Sequence, residues 1–129
     1  SELEVQHLFV VHGHDGLDEI TTTTTSSIAV VRGASVDLIE LDPRSLGLPL
    51  AQPGDLAGGD PAYNASIICD ILAGQQGPKR DITLLNAAAA IVAGGKARDL
   101  QEGLAVAAQS VDSGAARVKL EQLVAAAHA

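Results

Sequence analysis

Residues 28–41 read IAVVRGASVDLIEL. Two β-rich runs, Ile28 to Val31 and Val36 to Leu41, are split by Gly33-Ala34, the arrangement of a hairpin whose turn contains glycine. Asp42-Pro43 ends the second run, because a proline lacks the N–H that a central strand would need. Upstream, Leu8-Phe9-Val10-Val11 is a short unbroken apolar run closed by Gly13. Apolar on both faces, it reads as a buried strand of the kind found in parallel sheets, with neighbours wanted on both sides. The chain offers only the hairpin as company, so partner strands are expected in a segment that precedes it. The absence of Met and the start at Ser1 point the same way, toward part of a longer protein.

Downstream of the hairpin the periodicity changes. Residues 43–59 hold Pro43, Pro49 and Pro53 with several glycines and read as a surface loop. Asp60-Pro61 is a helix start, since Asp caps free N–H groups and Pro suits the first helical position. Ile67, Ile68, Ile71 and Leu72 form its apolar stripe, and Gly74 stops it. A second helix opens near Pro78, with Ile82, Leu85, Ala89 and Val92 on one face and Gly94-Gly95 at its end. A third follows Asp99, whose partner Glu102 makes a near capping box, with a stripe of Leu100, Leu104, Ala107 and Val111. After Gly114 a fourth carries Ala116, Leu120, Leu123 and Ala127. Ala dominates this half, which favours helix and close helix approach. The expectation is about three strands followed by about four helices.

Composition narrows the function. The 129 residues carry a net charge of −8, and aromatic residues make up 2%. An acidic surface is a poor match for phosphate backbones or anionic lipid, and two aromatic residues, Phe9 and Tyr63, cannot build a base-stacking platform. Neither nucleic acid nor a membrane is an expected partner. A single cysteine, Cys69, excludes an internal disulfide and a cysteine-rich zinc site. No apolar run approaches a membrane span and no leader peptide is legible, so a cytoplasmic setting is expected. The charge is unevenly spread: the first 60 residues hold ten of the 16 acids and two of the eight bases.

Within that acidic half, His12-Gly13-His14-Asp15-Gly16-Leu17-Asp18-Glu19 follows a strand end, where sheets of α/β proteins place ligands. Gly13 and Gly16 permit tight turns. Adjacent carboxylates Asp18 and Glu19 suit Mg²⁺, which takes one or two carboxylates together with water and phosphate oxygens. The plainer reading of the same residues is a solvated acidic turn. His12 is read as fixing the loop through a hydrogen bond and His14 as exposed. Thr21 to Thr25 either hold phosphate or ribose oxygens or lead as β-branched residues into the hairpin, and propensity favours the second. Gly58-Gly59-Asp60 reads as structural, because Asp60 at a helix cap repels an anion. Lys79-Arg80 reads as a surface charge pair with Asp81. Asn86, polar amid Leu84, Leu85 and four alanines, is either a buried helix–helix hydrogen bond or a contact to a preceding segment.

Residues 12–26, HGHDGLDEITTTTTS, resemble the acidic loop of the anthranilate phosphoribosyltransferase family. Residues 56–95, LAGGDPAYNASIICDILAGQQGPKRDITLLNAAAAIVAGG, resemble the helices that follow in that family, as do residues 100–124, LQEGLAVAAQSVDSGAARVKLEQLV. Together the three segments span nearly the whole chain in order. The resemblance implies an α/β fold, part of the phosphoribosyltransferase and nucleoside-phosphorylase type of C-terminal domain, with residues 1–129 as its C-terminal portion. The N-terminal helical domain and the pyrophosphate-gripping loop of such proteins have no counterpart here.

By that resemblance, Asp18 and Glu19 coordinate Mg²⁺ on the pyrophosphate of phosphoribosyl pyrophosphate, while Asp15, Gly16 and Leu17 shape the loop and His12 and Gly13 end the strand that carries it. The implied reaction is attack of the anthranilate amine on ribose C1 with loss of pyrophosphate, a step of tryptophan biosynthesis, performed by a homodimer of intact chains. The chain alone is expected to be inactive. The competing readings are a nucleoside-phosphorylase-like relative and an Ala-rich helical interaction module.

Overall fold

A computed structural model describes residues 7–129. Three strands come first: β1 (His7–Gly13), β2 (Ser26–Arg32) and β3 (Ser35–Leu41). They pair in the order β1-β2-β3, antiparallel throughout. The hairpin expected at Gly33-Ala34 is present, with Arg32 paired to Ser35. Gly33 takes φ +58° while Ala34 stays at negative φ, the pattern of a two-residue type II′ turn, which matches the twist of the flanking strands.

The first strand departs from expectation. Among the described residues it pairs only with β2, and alternate residues are exposed, with Leu8 42% and Val10 56% accessible. Cross-strand neighbours share a face, so the register puts Leu8, Val31 and Val36 in one outward row and Val10, Ala29 and Leu38 in the next. The inward face holds Phe9, Val11, Ile28, Val30 and Leu41. The run is thus apolar on both faces, as read, but only one face is covered by the described residues.

Four helices follow, with bounds close to those the capping residues imply. α1 spans Pro61–Leu72, and the Asp60 carboxylate accepts the Tyr63 N–H, which makes Asp60 a cap. α2 spans Pro78–Ala93 behind Gly77, whose φ of +132° is open only to glycine. α3 spans Leu100–Asp112, capped by Asp99 on the Glu102 N–H. The capping box stays half-made, because the Glu102 carboxylate accepts the Arg98 Nε–H instead. α4 spans Ala115–Ala127. The proline-rich segment between β3 and α1 contains two 3-10 turns, Pro43–Leu46 and Pro53–Leu56.

The core lies between the inward sheet face and the α2–α3 pair. Leu84, Leu85, Ala88 and Ala89 of α2 meet Ile28 and Val30 of the sheet and Leu104, Ala107 and Val111 of α3 in one cluster. The two helices approach closely because Gly103 faces Ala88: a Cβ on Gly103 would sit 2.8 Å from the Ala88 carbonyl oxygen. Arg80 is buried here too, against the reading of a surface pair with Asp81. Its Nη1 and Nη2 donate to Asp112 Oδ1 and Oδ2 at 2.8 and 3.0 Å, a bidentate tie between the start of α2 and the end of α3. These hydrogen bonds hold the Asp112 carboxyl below the usual aspartate range. The outer helices are covered far less. α1 buries only Ile71 from its stripe, and α4 buries no residue.

Candidate functional site

The segment between β1 and β2 is a loop folded back on itself. The Gly16 N–H donates to the Gly13 carbonyl at 2.9 Å and the Gly13 N–H to the Leu17 carbonyl at 3.0 Å. Gly16 supplies φ +94° for this turn. Gly13 is needed for space rather than for φ, since a Cβ there would lie 2.7 Å from Asp15 Oδ1. The Asp15 carboxylate then closes the loop. Oδ1 accepts the Leu17 N–H at 3.2 Å, and Oδ2 accepts the hydroxyls of Thr21 and Thr23 at 2.7 and 2.6 Å. Burial pushes the Asp15 pKa up, but the Thr21, Thr23 and Leu17 hydrogen bonds outweigh it and leave the pKa lowered.

The threonine run is therefore not a strand leading into the hairpin. It is irregular backbone, and β2 begins only at Ser26. Thr21 and Thr22 are fully buried, and the Ser26 hydroxyl accepts the Thr21 N–H at 3.0 Å. Side-chain hydroxyls that bond backbone and carboxylate offer the chain an alternative to a sheet ladder, which here overrides β propensity.

His14 is exposed, as read, but the hydrogen-bonding role expected of His12 falls to it. Among the described residues, the ring that fixes this region is His14, not His12. His14 Nδ1 lies 2.8 Å from Thr25 Oγ1 and Nε2 lies 2.8 Å from Ser27 Oγ, with Glu40 Oε2 3.4 Å away. The Ser27 hydroxyl donates to Glu40 Oε1 at 2.6 Å, so its lone pairs face His14 Nε2–H. His12 sits on the outward face of β1 opposite Ser27.

On the far side of the acidic pair the anchor is Ile20, whose side chain is fully buried in the core. Its backbone is gripped by Asn86 of α2: Oδ1 accepts the Ile20 N–H at 2.9 Å and Nδ2 donates to the Ile20 carbonyl at 2.8 Å. Among the described residues, Asn86 makes no hydrogen bond to another helix. It joins a helix to the acidic loop.

Asp18 and Glu19 occupy the crest between the Asp15 ring and the Ile20 anchor, and both are exposed. Glu19 also lines a cleft of about 260 Å³ with Lys79 and Thr83 of α2, Asn64 of α1, and an apolar floor that includes Ile67, Ile71 and Ile82. No cluster of three or more His, Cys, Asp or Glu able to hold a metal occurs among the described residues. Two exposed adjacent carboxylates fit a hard cation that takes the rest of its oxygen shell from water and a phosphate-bearing ligand; they do not fit a cage made of protein alone. No helix among the described residues is long and apolar enough to cross a membrane.

Residues 1–117 match the family model described as glycosyl transferase family, a/b domain. An anthranilate phosphoribosyltransferase of Methylobacterium nodulans is 49% identical over 129 residues, which is all of this chain and 38% of that protein. One from Anaeromyxobacter is 52% identical over 124 residues, 96% of this chain and 36% of that protein. Among solved structures, the anthranilate phosphoribosyltransferase of Thermus thermophilus superposes with a TM-score of 0.82 at 35% identity, over 95% of this chain and 36% of that one. The Saccharomyces cerevisiae enzyme in complex with PRPP and Mg gives 0.80 at 27% identity, over 89% and 33%. The chain thus spans little more than a third of the relatives it matches. With the fold shared and the family model running through the strands, the acidic loop and the first three helices, the chain belongs to the glycosyl transferase family that this a/b domain defines.

Proposed function

We propose that this chain is the C-terminal portion of the α/β domain of an anthranilate phosphoribosyltransferase and supplies its metal-holding loop. The observation that carries the reading is the exposed Asp18–Glu19 pair, held up between two anchors. Relatives bearing that name are 49% and 52% identical to the chain. Asp18 and Glu19 present carboxylate oxygens to Mg²⁺ on the pyrophosphate of phosphoribosyl pyrophosphate. Bound there, Mg²⁺ supplies charge neutralisation for the departing pyrophosphate as the anthranilate amine attacks ribose C1. The two acids bind and orient; they transfer no proton. Asp15, Gly13 and Gly16 keep the crest in shape.

The remaining parts of the reading rest on the family resemblance, with the chain covering little more than a third of its relatives. The upstream polypeptide provides the grip on pyrophosphate and anthranilate, covers the outward sheet face, and carries the contacts of a homodimer. A cytoplasmic setting agrees with the single, free and exposed Cys69. An interaction module is the second reading, favoured by the exposed Leu123 and Val124 of α4.

The test is phosphoribosyl transfer to anthranilate, followed by loss of anthranilate fluorescence. The full-length protein is expected to be active with Mg²⁺, the 129-residue chain alone inactive, and full-length Asp18→Ala to lose turnover while keeping its melting temperature. Unchanged turnover and Mg²⁺ dependence in Asp18→Ala would overturn the assignment.

A further inference from the structure

Asn86 is an expensive residue where it stands. It interrupts an apolar helix, has lower helix propensity than the alanines after it, and is part-buried. An Asn whose only task was to satisfy its own helix would stop at the Nδ2–Ile82 carbonyl bond of 3.0 Å. Instead both ends of the amide are committed to the backbone of one loop residue, Ile20, through a donor and an acceptor 66 positions away in sequence. Exchanging O and N of the amide would break both bonds, so the orientation is fixed by its partners. Ile20 directly follows Glu19. Holding its N–H and carbonyl fixes the peptide plane on which the acidic pair ends, while Asp15 fixes the other side through Thr21 and Thr23.

We propose that Asn86 is a positioning residue for the Asp18–Glu19 pair: its amide sets the direction in which the two carboxylates are offered to a divalent cation. This rests on the reading of Asp18 and Glu19 as cation ligands. Groups that orient ligands typically change metal affinity by about 10- to 100-fold when removed. Asn86→Leu keeps the branched shape of the side chain and suits its neighbours Leu84 and Leu85, so it removes the clamp without opening a cavity.

The experiment measures Mn²⁺ binding to the full-length protein in the presence of inorganic pyrophosphate, from the loss of the free-Mn²⁺ electron paramagnetic resonance signal, beside a thermal melt. Asn86→Leu is expected to weaken binding about tenfold or more, with a lowered melting temperature because the Ile20 N–H and carbonyl lose their partners. Val111→Ala, which loosens the same core away from the loop, is the control for a general loss of stability and is expected to bind as the parent does. If Asn86→Leu does not fold, Asn86→Ser is measured in its place against Val111→Ala. Asp18→Asn separates the two claims. If Asp18→Asn binds Mn²⁺ like the parent, the cation site itself is wrong. If Asp18→Asn loses binding and the Asn86 variant does not, the positioning role alone is overturned. Weakening in proportion to lost stability, shared by Val111→Ala, would also overturn it.

Discussion

Helices α1 and α2 both carry apolar stripes and both begin with proline, yet α2 buries Leu84, Leu85, Ala88, Ala89 and Val92 while α1 buries Ile71 alone. α3 and α4 repeat the contrast, with Val111 and Leu104 buried in one and Leu123 and Val124 open in the other. The difference lies in neighbours. α2 has the sheet on one side and α3 on the other, and Gly103 lets the two backbones close to contact. α1 and α4 touch only the margins of that pair. An amphipathic pattern states that a face is apolar; which body covers it is decided by the rest of the polypeptide.

The sharpest way to break the contrast is to remove a side chain from each kind of helix. Leu85→Ala empties a fully buried site and should cost about 3 kcal/mol, read as a lower denaturation midpoint. A smaller effect is expected from acid. Arg80 lowers the Asp112 pKa, so the stability that pair adds is complete above about pH 4 and is lost as pH falls through the depressed native value. Burial raises the Asp81 pKa, which works in the opposite sense, so a net loss of melting temperature on acidification that shrinks in Asp112→Asn would assign the effect to the Arg80 tie. The smallest effect belongs to the outer helices. Leu123→Ala should change the stability of the 129-residue chain by no more than ~0.5 kcal/mol, and a larger loss in the full-length protein than in this chain would show that α4 is covered there.

Local chemistry made much of this architecture legible. Asp60-Pro61, Gly77-Pro78, Asp99 and Gly114 mark helix starts because caps are decided within one turn of chain, and Gly33 marks the hairpin for the same reason. The two adjacent carboxylates, Asp18 and Glu19, stand out in the sequence. Much of their support does not, because the Asn86–Ile20 brace spans 66 positions and the His14 contacts cross to Ser27 and Glu40; the Asp15 bonds to Thr21 and Thr23 are local. The Thr21–Thr25 run misled for a related reason. Propensity treats β-branched residues as strand formers, whereas the hydroxyls of Thr21 and Thr23 found a carboxylate. β1 was read correctly as apolar on both faces, but neither its register nor its single pairing among the described residues can be seen in LFVV itself.

The burial of Ile20 has a dynamic consequence. A surface loop normally opens on its own, at a small free energy, while the body of the protein stays folded. This one cannot lift without drawing a fully buried side chain out of the cluster that holds Leu85 and Ile28 together. Opening of the acidic crest is thereby tied to opening of the core, so its backbone amides near Ile20 should exchange with solvent at rates set by global unfolding rather than by local fraying, and heating should abolish the crest and the fold in one transition.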